Sequence, residues 1–391
     1  MIQISQRRVI MNIVFVGLSG ALKMTRACDV RLVMFANVMV EGNRVQVINR
    51  YSSSRKLSSS NIEAAVPVEQ YEIIKPKNTG KLLSIILFIL SIVFEPFYLF
   101  RKNRQEHINI IHVYSGHYFD FLLYWIISRV IKAKVVYQYV EYRSAFPWRS
   151  LYHRLNSYLC DKKGPKLWDG VIAISSYLES SALAVNPKLH TIKIPPICDF
   201  SIFETVRGKI DINEPYILYC GSIGYMEVIE LILASYRKSM ISASHKLVLI
   251  LGGGKKEVED FASKNQDVII KHNLSYNDLV LHYKKADALL IPLRDNIRDI
   301  ARFPNKICEY LASRGVIVTT DVGEIKDYFK DGESAAIASE YSINSYASAL
   351  DKISSGEYKL SVIKNNSYQV GLNYFDTKSI SIRLLPYLSQ F

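Results

Sequence analysis

Short apolar runs recur along this chain, separated by longer stretches whose apolar positions fall three and four residues apart. A strand covered on both faces reads as such a run, and the helix that crosses over to the next parallel strand reads as the spaced stretch. The alternation therefore predicts parallel sheets joined by crossover helices. In the first half it places strands at Ile13–Val16, Arg44–Asn49, Ile110–Val113, Lys134–Tyr139, Gly170–Ile174 and His190–Ile194, with helices at Ala27–Glu41, after Gly80, and at Phe119–Ile131, Arg149–Lys163 and Ser176–Ala184. Prolines then interrupt the pattern in IPPICDFSIF (Ile194 to Phe203), followed by a polar stretch. Proline resists incorporation into either element, so this reads as a joint.

Beyond the joint the alternation starts again. Strands are predicted at Tyr216–Cys220, Lys246–Leu251, Val268–Ile270, Ala288–Ile291, Val316–Thr319 and Ala335–Ala338. Helices are predicted at Val228–Lys238, Lys255–Lys264, Ser275–Lys285, Lys306–Arg314 and Ser342–Ser355. The fold class that follows is α/β, with two doubly wound Rossmann-like domains: residues 1–197, a linker at 198–214, a second domain at 215–366, and a C-terminal helical segment at 367–391 that crosses back to the first domain. Ligands of open α/β sheets bind at the carboxyl ends of the strands, so two such sheets imply a cleft between domains. The serine-rich Ser52–Ser60 reads as a flexible loop.

Two segments imitate other signals. Arg7-Arg8 followed by VIMNIVFVGLSGA has the outline of a secretory leader, but reads better as a first buried strand from Asn12 to Gly17. Leu82–Phe100 is nearly long enough to span a bilayer, yet Glu95 and Pro96 leave only 13 uninterrupted residues. Three readings stay open: a helix packed on the sheet with a solvated basic end, one lying in a membrane interface with RKNR (Arg101 to Arg104) on anionic headgroups, or a true span.

At 391 residues the chain exceeds the usual size of a single core. Lysine and arginine outnumber acids by 49 to 36, which points to anionic partners without choosing among them. Basic residues interleaved with aromatics on a nucleic-acid module are not found, so nucleic acid is not expected. The five cysteines are odd in number and lack metal-ligand spacing, which predicts a reducing compartment and no structural metal.

The chemistry concentrates in the second half. In CGSIGYM (Cys220 to Met226), glycines Gly221 and Gly224 flank Ser222 between a strand and a helix, where backbone N–H groups can meet an anion. Gly252 opens a triple glycine after the next strand. The loop LRDNIRDIARFPNK runs from Leu293 to Lys306, and Glu309 lies three residues past Lys306, on the same helix face. A cation there can meet phosphate oxygens while the carboxylate accepts ribose hydroxyls; the plain alternative is an i,i+3 surface ion pair.

The run Tyr216 to Ala338 resembles the nucleotide-binding domain of the family 4 glycosyltransferases (glycosyl transferases group 1), through its G-S-x-G loop, GGG, HYKKADALLIP and FPNKICEYLASRGVIVTTDVGEIKDYFKDGESA. The first half is similar more loosely, through MNIVFVG, NIIHVY and DGVIAISSYLES. The resemblance implies a GT-B enzyme that transfers a sugar, with retention and without an essential metal or other cofactor, from a UDP- or GDP-sugar donor. Glu309 matches the second glutamate of the family's Glu-x7-Glu motif and would hold the ribose. Lys306, with Gly221, Ser222 and Gly224, would lie near the diphosphate; Arg302, Phe303, Pro304 and Asn305 would face the transferred sugar. Gly17 and Gly20 would lie near the reacting centre.

Three departures from the family pattern matter. Position 301, where the first glutamate belongs, is Ala301, leaving Asp295 or Asp299 as substitutes. The family's arginine is replaced by Ser222, so positive charge would come from Lys306 with Arg298 or Arg302. Where the family often has a histidine, Val140-Glu141 stands, and Glu141 is either a base for the acceptor or a solvated or Arg143-paired carboxylate. The expected acceptor is a lipid-linked oligosaccharide of surface-polysaccharide synthesis, O-antigen or capsule, at the inner face of a bacterial membrane, the protein being cytoplasmic and peripheral on an anionic surface. The alternative is a catalytically silent GT-B subunit that binds a partner transferase.

Overall fold

A computed structural model describes residues 10–18, 27–50 and 81–391, and Gly20 and the Ser52–Ser60 loop lie outside them. Two compact units emerge, the first formed by Met1–Ile194 with Ile380–Phe391, the second by Pro195–Ser379.

In the first unit the elements follow as β1 (Asn12–Leu18), α1 (Ala27–Val40), β2 (Arg44–Asn49), α2 (Lys81–Gln105), β3 (Ile110–Val113), α3 (Tyr118–Ile131), β4 (Lys134–Tyr139), α4 (Leu151–Lys162), β5 (Gly170–Ala173), α5 (Ser176–Val185) and β6 (His190–Lys193). The six strands are parallel in the order β2-β1-β3-β4-β5-β6. Ile13 to Val16 are completely buried, as a central strand covered on both faces requires. Right-handed crossovers place α1 on one face and α2 to α5 on the other, because the chain first steps toward β2 and afterwards away from it. Consistent with that, α2 packs beside α3, α3 beside α4, and α4 beside α5.

The second unit holds α6 (Phe200–Thr205), β7 (Tyr216–Ser222), α7 (Met226–Lys238), β8 (Lys246–Gly252), α8 (Lys255–Lys264), β9 (Ile269–His272), α9 (Tyr276–Lys285), β10 (Ala288–Leu290), α10 (Ile297–Ala301), α11 (Lys306–Ala312), β11 (Val316–Thr320), α12 (Ile325–Tyr328), β12 (Ala336–Ala338), α13 (Ile343–Ser354) and α14 (Leu360–Tyr374). Its parallel sheet runs β12-β11-β10-β7-β8-β9. The core joins the sheet to α7, where Val228, Ile229 and Ile232 are buried, and to α13 through Tyr346 and Leu350. Serine and asparagine set several helix starts: Ser275 accepts from the Asp278 N–H, Ser342 from Ser345 and Asn296 from Asp299.

The C-terminal segment differs from its sequence outline. Instead of one helix from 367, there are two, α14 and α15 (Thr377–Leu388), and only Ile380–Phe391 belongs to the first unit. The stretch 198–214 is likewise not a bare linker, since it contains α6 and belongs to the second unit.

Candidate active site

Each sheet has one topological switch point, and there the loops leaving two neighbouring strands part to opposite faces and open a crevice at the carboxyl edge. In the second unit the switch lies between β7 and β10, which are hydrogen-bonded neighbours. The loops flanking it are Gly221–Tyr225 and the stretch 291–305, the two segments singled out in the sequence.

Lys306 opens α11 behind this crevice. Its Nζ lies 2.7 Å from Glu309 Oε2, and Glu309 is mostly buried. The ammonium also sits 5.5 Å from the centre of the Tyr283 ring. Burial works against its charge, but Cys220 and Glu309 beside it prevail and raise its pKa, so Lys306 is a firm cation. The i,i+3 pair is thus formed, half-sheltered at the switch point rather than on an open surface. A ligand there would meet a cation and a carboxylate already fixed in place.

Two arginines stand on the segment that precedes the pair in the chain. Tyr225 lies beneath both guanidinium groups, Arg302 at 5.0 Å and Arg298 at 5.6 Å from the ring centre, and its hydroxyl accepts from Arg302 at 2.9 Å. Asp299, almost fully buried, binds Arg302 at 2.8 Å and grips Arg294 through Nε at 2.8 Å and Nη2 at 3.1 Å. Burial opposes the Asp299 charge, yet Arg294 and Arg302 hold its carboxyl below the usual range. Both oxygens are therefore engaged, and Asp299 is not the free substitute for the missing glutamate. Asp295 is exposed, while Ala301 is fully buried.

Phe303 departs from its expected role. Its ring is buried, stacked on Tyr328 at 5.5 Å and edge-on to Phe375 at 5.7 Å, so the side chain anchors the loop in the core instead of facing a sugar. Pro304 and Asn305 are half-buried, and Asn305 begins α11 without a side-chain cap.

The phosphate-loop glycines also divide. Gly224 donates its N–H to Ser222 Oγ at 3.2 Å, and Ile223 donates to the Gly252 carbonyl at 2.8 Å. The loop thus closes partly on itself, and Tyr225 begins α7 with no side-chain cap. Of the triple glycine, Gly253 has the strict requirement: its φ is +145°, and a Cβ there would lie 2.4 Å from Ile223 Cγ2. Gly252 has room around it.

In the first unit the switch lies between β1 and β3. Gly17, next to last in β1, has φ +86°, and a Cβ there would stand 3.0 Å from Ser115 Cβ in the loop after β3. His117 of that loop is exposed and precedes α3; burial of its surroundings lowers its pKa. It is a titratable group at the switch edge that the sequence reading passed over, although a glycine and histidine directly after the run NIIHVYS were the available signal. Glu141 is exposed just beyond β4. Among the described residues no cluster of histidine, cysteine and acids is arranged to hold a metal.

Residues 203–370 match the sequence model of the glycosyl transferases group 1 family. No curated protein matches the chain by sequence. Among solved structures, sucrose-phosphate synthase from Thermosynechococcus elongatus superimposes with a TM-score of 0.72 at 14% identity, over 97% of this chain and 98% of that one. Anabaena HepE, in complex with UDP and glucose, gives 0.69 at 13% identity over 97% and 100%. The lipopolysaccharide outer core galactosyltransferase WaaB gives 0.63 at 14% over 97% and 100%. At such identities the likeness speaks for the fold, and the matched segment contains both loops and the Lys306–Glu309 pair. Residues 203–370 are therefore similar to the glycosyl transferases group 1, and the chain that contains them has the two-domain GT-B fold.

Proposed function

We propose that this chain moves a sugar, with retention of configuration, from a nucleoside diphosphate sugar to a lipid-linked oligosaccharide on the cytoplasmic face of a membrane, in the assembly of a surface polysaccharide such as O-antigen or capsule. The observation that carries the donor half is the Lys306–Glu309 pair at the second unit's switch point. Glu309 accepts the ribose hydroxyls. Lys306, with Arg298 and Arg302, meets the diphosphate, whose negative charge grows as the glycosidic bond breaks; positively charged groups fixed in advance lower that barrier most. The UDP bound in HepE makes UDP-sugars the first donors to try. No metal is required in this scheme. Glu141 is the base available to the acceptor hydroxyl.

Calorimetry against a panel of UDP- and GDP-sugars tests this. Charged hydrogen bonds are each worth about 1.5–3 kcal/mol, so Glu309→Ala should weaken nucleotide binding roughly ten- to a hundredfold. Lys306→Ala should lower kcat by about a hundredfold or more while leaving the fold intact. Failure of the unmodified protein to bind any nucleotide sugar would sink the enzyme reading.

A second reading has its own support. With Ala301 buried and Asp299 engaged by arginines, the position that normally reads the donor sugar carries no free carboxylate. A silent subunit that binds a partner transferase fits those facts. Turnover of any donor by the isolated chain excludes it.

A further inference from the structure

Helix α2 is built inside out. Ser91, Glu95 and Leu99 face inward and are buried, whereas Ile86, Val93, Phe94 and Phe97 are exposed, Phe97 to 64%. With Leu83 and Leu90, which are also exposed, Ile86, Val93 and Phe97 repeat at three and four residues, so they form one stripe. A surface helix normally shows the reverse, and here the polar group is retained inside by partners. Arg50 donates to Glu95 at 2.5 Å and to Asp120 at 2.6 Å, while the Tyr124 hydroxyl donates to Glu95 at 2.8 Å. That buried network fixes which way α2 faces, and the apolar stripe points outward.

The neighbouring helices extend the stripe. On α3, Phe119, Ile126 and Val130 are exposed; on α4, Leu151 and Leu155 are. Because α2, α3 and α4 lie side by side on one face of the sheet, their outer sides form a single apolar surface. Scattered exposed leucines need no explanation, but a continuous apolar face on three helices does.

Charge selects what covers it. Residues 81–166 contain 13 Lys and Arg against five Asp and Glu, and of the five Glu95, Asp120 and Asp161 are buried. Each helix runs antiparallel to the strands, so the three carboxyl ends gather along one edge. Exposed bases stand at each: Arg101 and Arg104 after the stripe of α2, Lys132 and Lys134 beyond α3, Lys162 and Lys163 at the end of α4. A second copy of the chain would bring like charges together. An anionic bilayer answers both features, and among the described residues no helix is long and apolar enough to cross one.

We propose that the outer face of α2, α3 and α4 docks the first unit on an anionic lipid bilayer, its aromatic and aliphatic side chains entering the headgroup layer and its basic helix ends meeting lipid phosphates. This rests on the peripheral-membrane part of the function proposed above, and gives it a location. The test is flotation of the full chain with vesicles of phosphatidylcholine alone or of an equal mixture with phosphatidylglycerol. The protein should float with the mixture and not with phosphatidylcholine alone. Val93→Ser with Phe97→Ser, both exposed, should reduce lipid binding about tenfold or more. Arg101→Gln and Arg104→Gln should each weaken it about fivefold and flatten its salt dependence. Nucleotide binding, read by calorimetry without lipid, should be unchanged in all of them.

Absence of flotation at low salt, or equal flotation of the serine variant, overturns the proposal. So does a dimer seen by sedimentation without lipid that the serine variant splits, which would make the face a protein interface. Flotation retained in a protein that binds no nucleotide sugar would instead count against the donor reading and leave the docking surface standing.

Discussion

His112 lies at the centre of β3, fully buried and stacked on Phe15 at 4.2 Å. Burial pushes its pKa down to about 3, so it stays neutral in the fold while an unfolded chain would protonate it near 6.5. Below that value the unfolded state binds the extra proton, so stability is complete above about pH 6.5 and falls toward pH 3, by up to about 1.4 kcal/mol per pH unit. His112→Leu should remove that part of the acid sensitivity of the first unit. Across this range the melting temperature should fall less steeply with pH in the leucine variant than in the unmodified protein; parallel curves would refute the assignment. The histidine's place in a strand was legible from NIIHVY, but its neutrality comes from neighbours far away in sequence. The same contrast separates Lys306 and Glu309, whose spacing identified them, from Phe303, whose ring turned into the core because Tyr328 and Phe375 lie beneath it.

Among the elements, the segment between β10 and α11 shows how a site segment whose only regular structure is the short α10 is held by its side chains. Asp299 ties Arg294 to Arg302, and Arg294 reaches on to Glu227 at 2.9 Å in the first turn of α7. Asp299→Asn leaves two arginines beside a neutral amide. Removing one partner of a buried pair costs about 3–5 kcal/mol, so the second unit should melt earlier and nucleotide binding should weaken, by thermal melting and calorimetry. The pH sign is fixed by the depressed carboxyl: its contribution is complete above about pH 4 and disappears as pH falls through the lower folded value. An unchanged melting temperature in the asparagine variant would show that the arginines are held by other contacts. The long strands and helices around this loop were readable from periodicity. The short helices α6, α10 and α12 were not, because four to six residues carry too little of a 3.6-residue repeat to stand out.

For the molecule as a whole, the last dozen residues decide how the chain closes. Ile380, Leu384 and Leu388 are completely buried in the first unit, and the Tyr387 hydroxyl donates to the carbonyls of His190 at 3.0 Å and Val171 at 3.2 Å. Each such side chain stabilises by about 1.5–3 kcal/mol. Truncation after Ser379 should therefore destabilise the first unit, although every deleted residue follows the second in sequence. Limited proteolysis of the truncated chain should release fragments of residues 81–194 first, and preferential loss of the second unit would contradict this. The sequence by itself determined two parallel sheets, their crossover helices and the Lys306–Glu309 spacing, because burial on both faces of a strand and on one face of a helix imposes periods that survive in the linear chain. Only the tertiary structure decided that Asp299 belongs to two arginines, that Glu95 faces inward while Phe97 faces out, and that of the carboxyl-terminal segment only Ile380–Phe391 joins the first unit. Those outcomes depend on which distant groups meet, and no local period encodes such meetings.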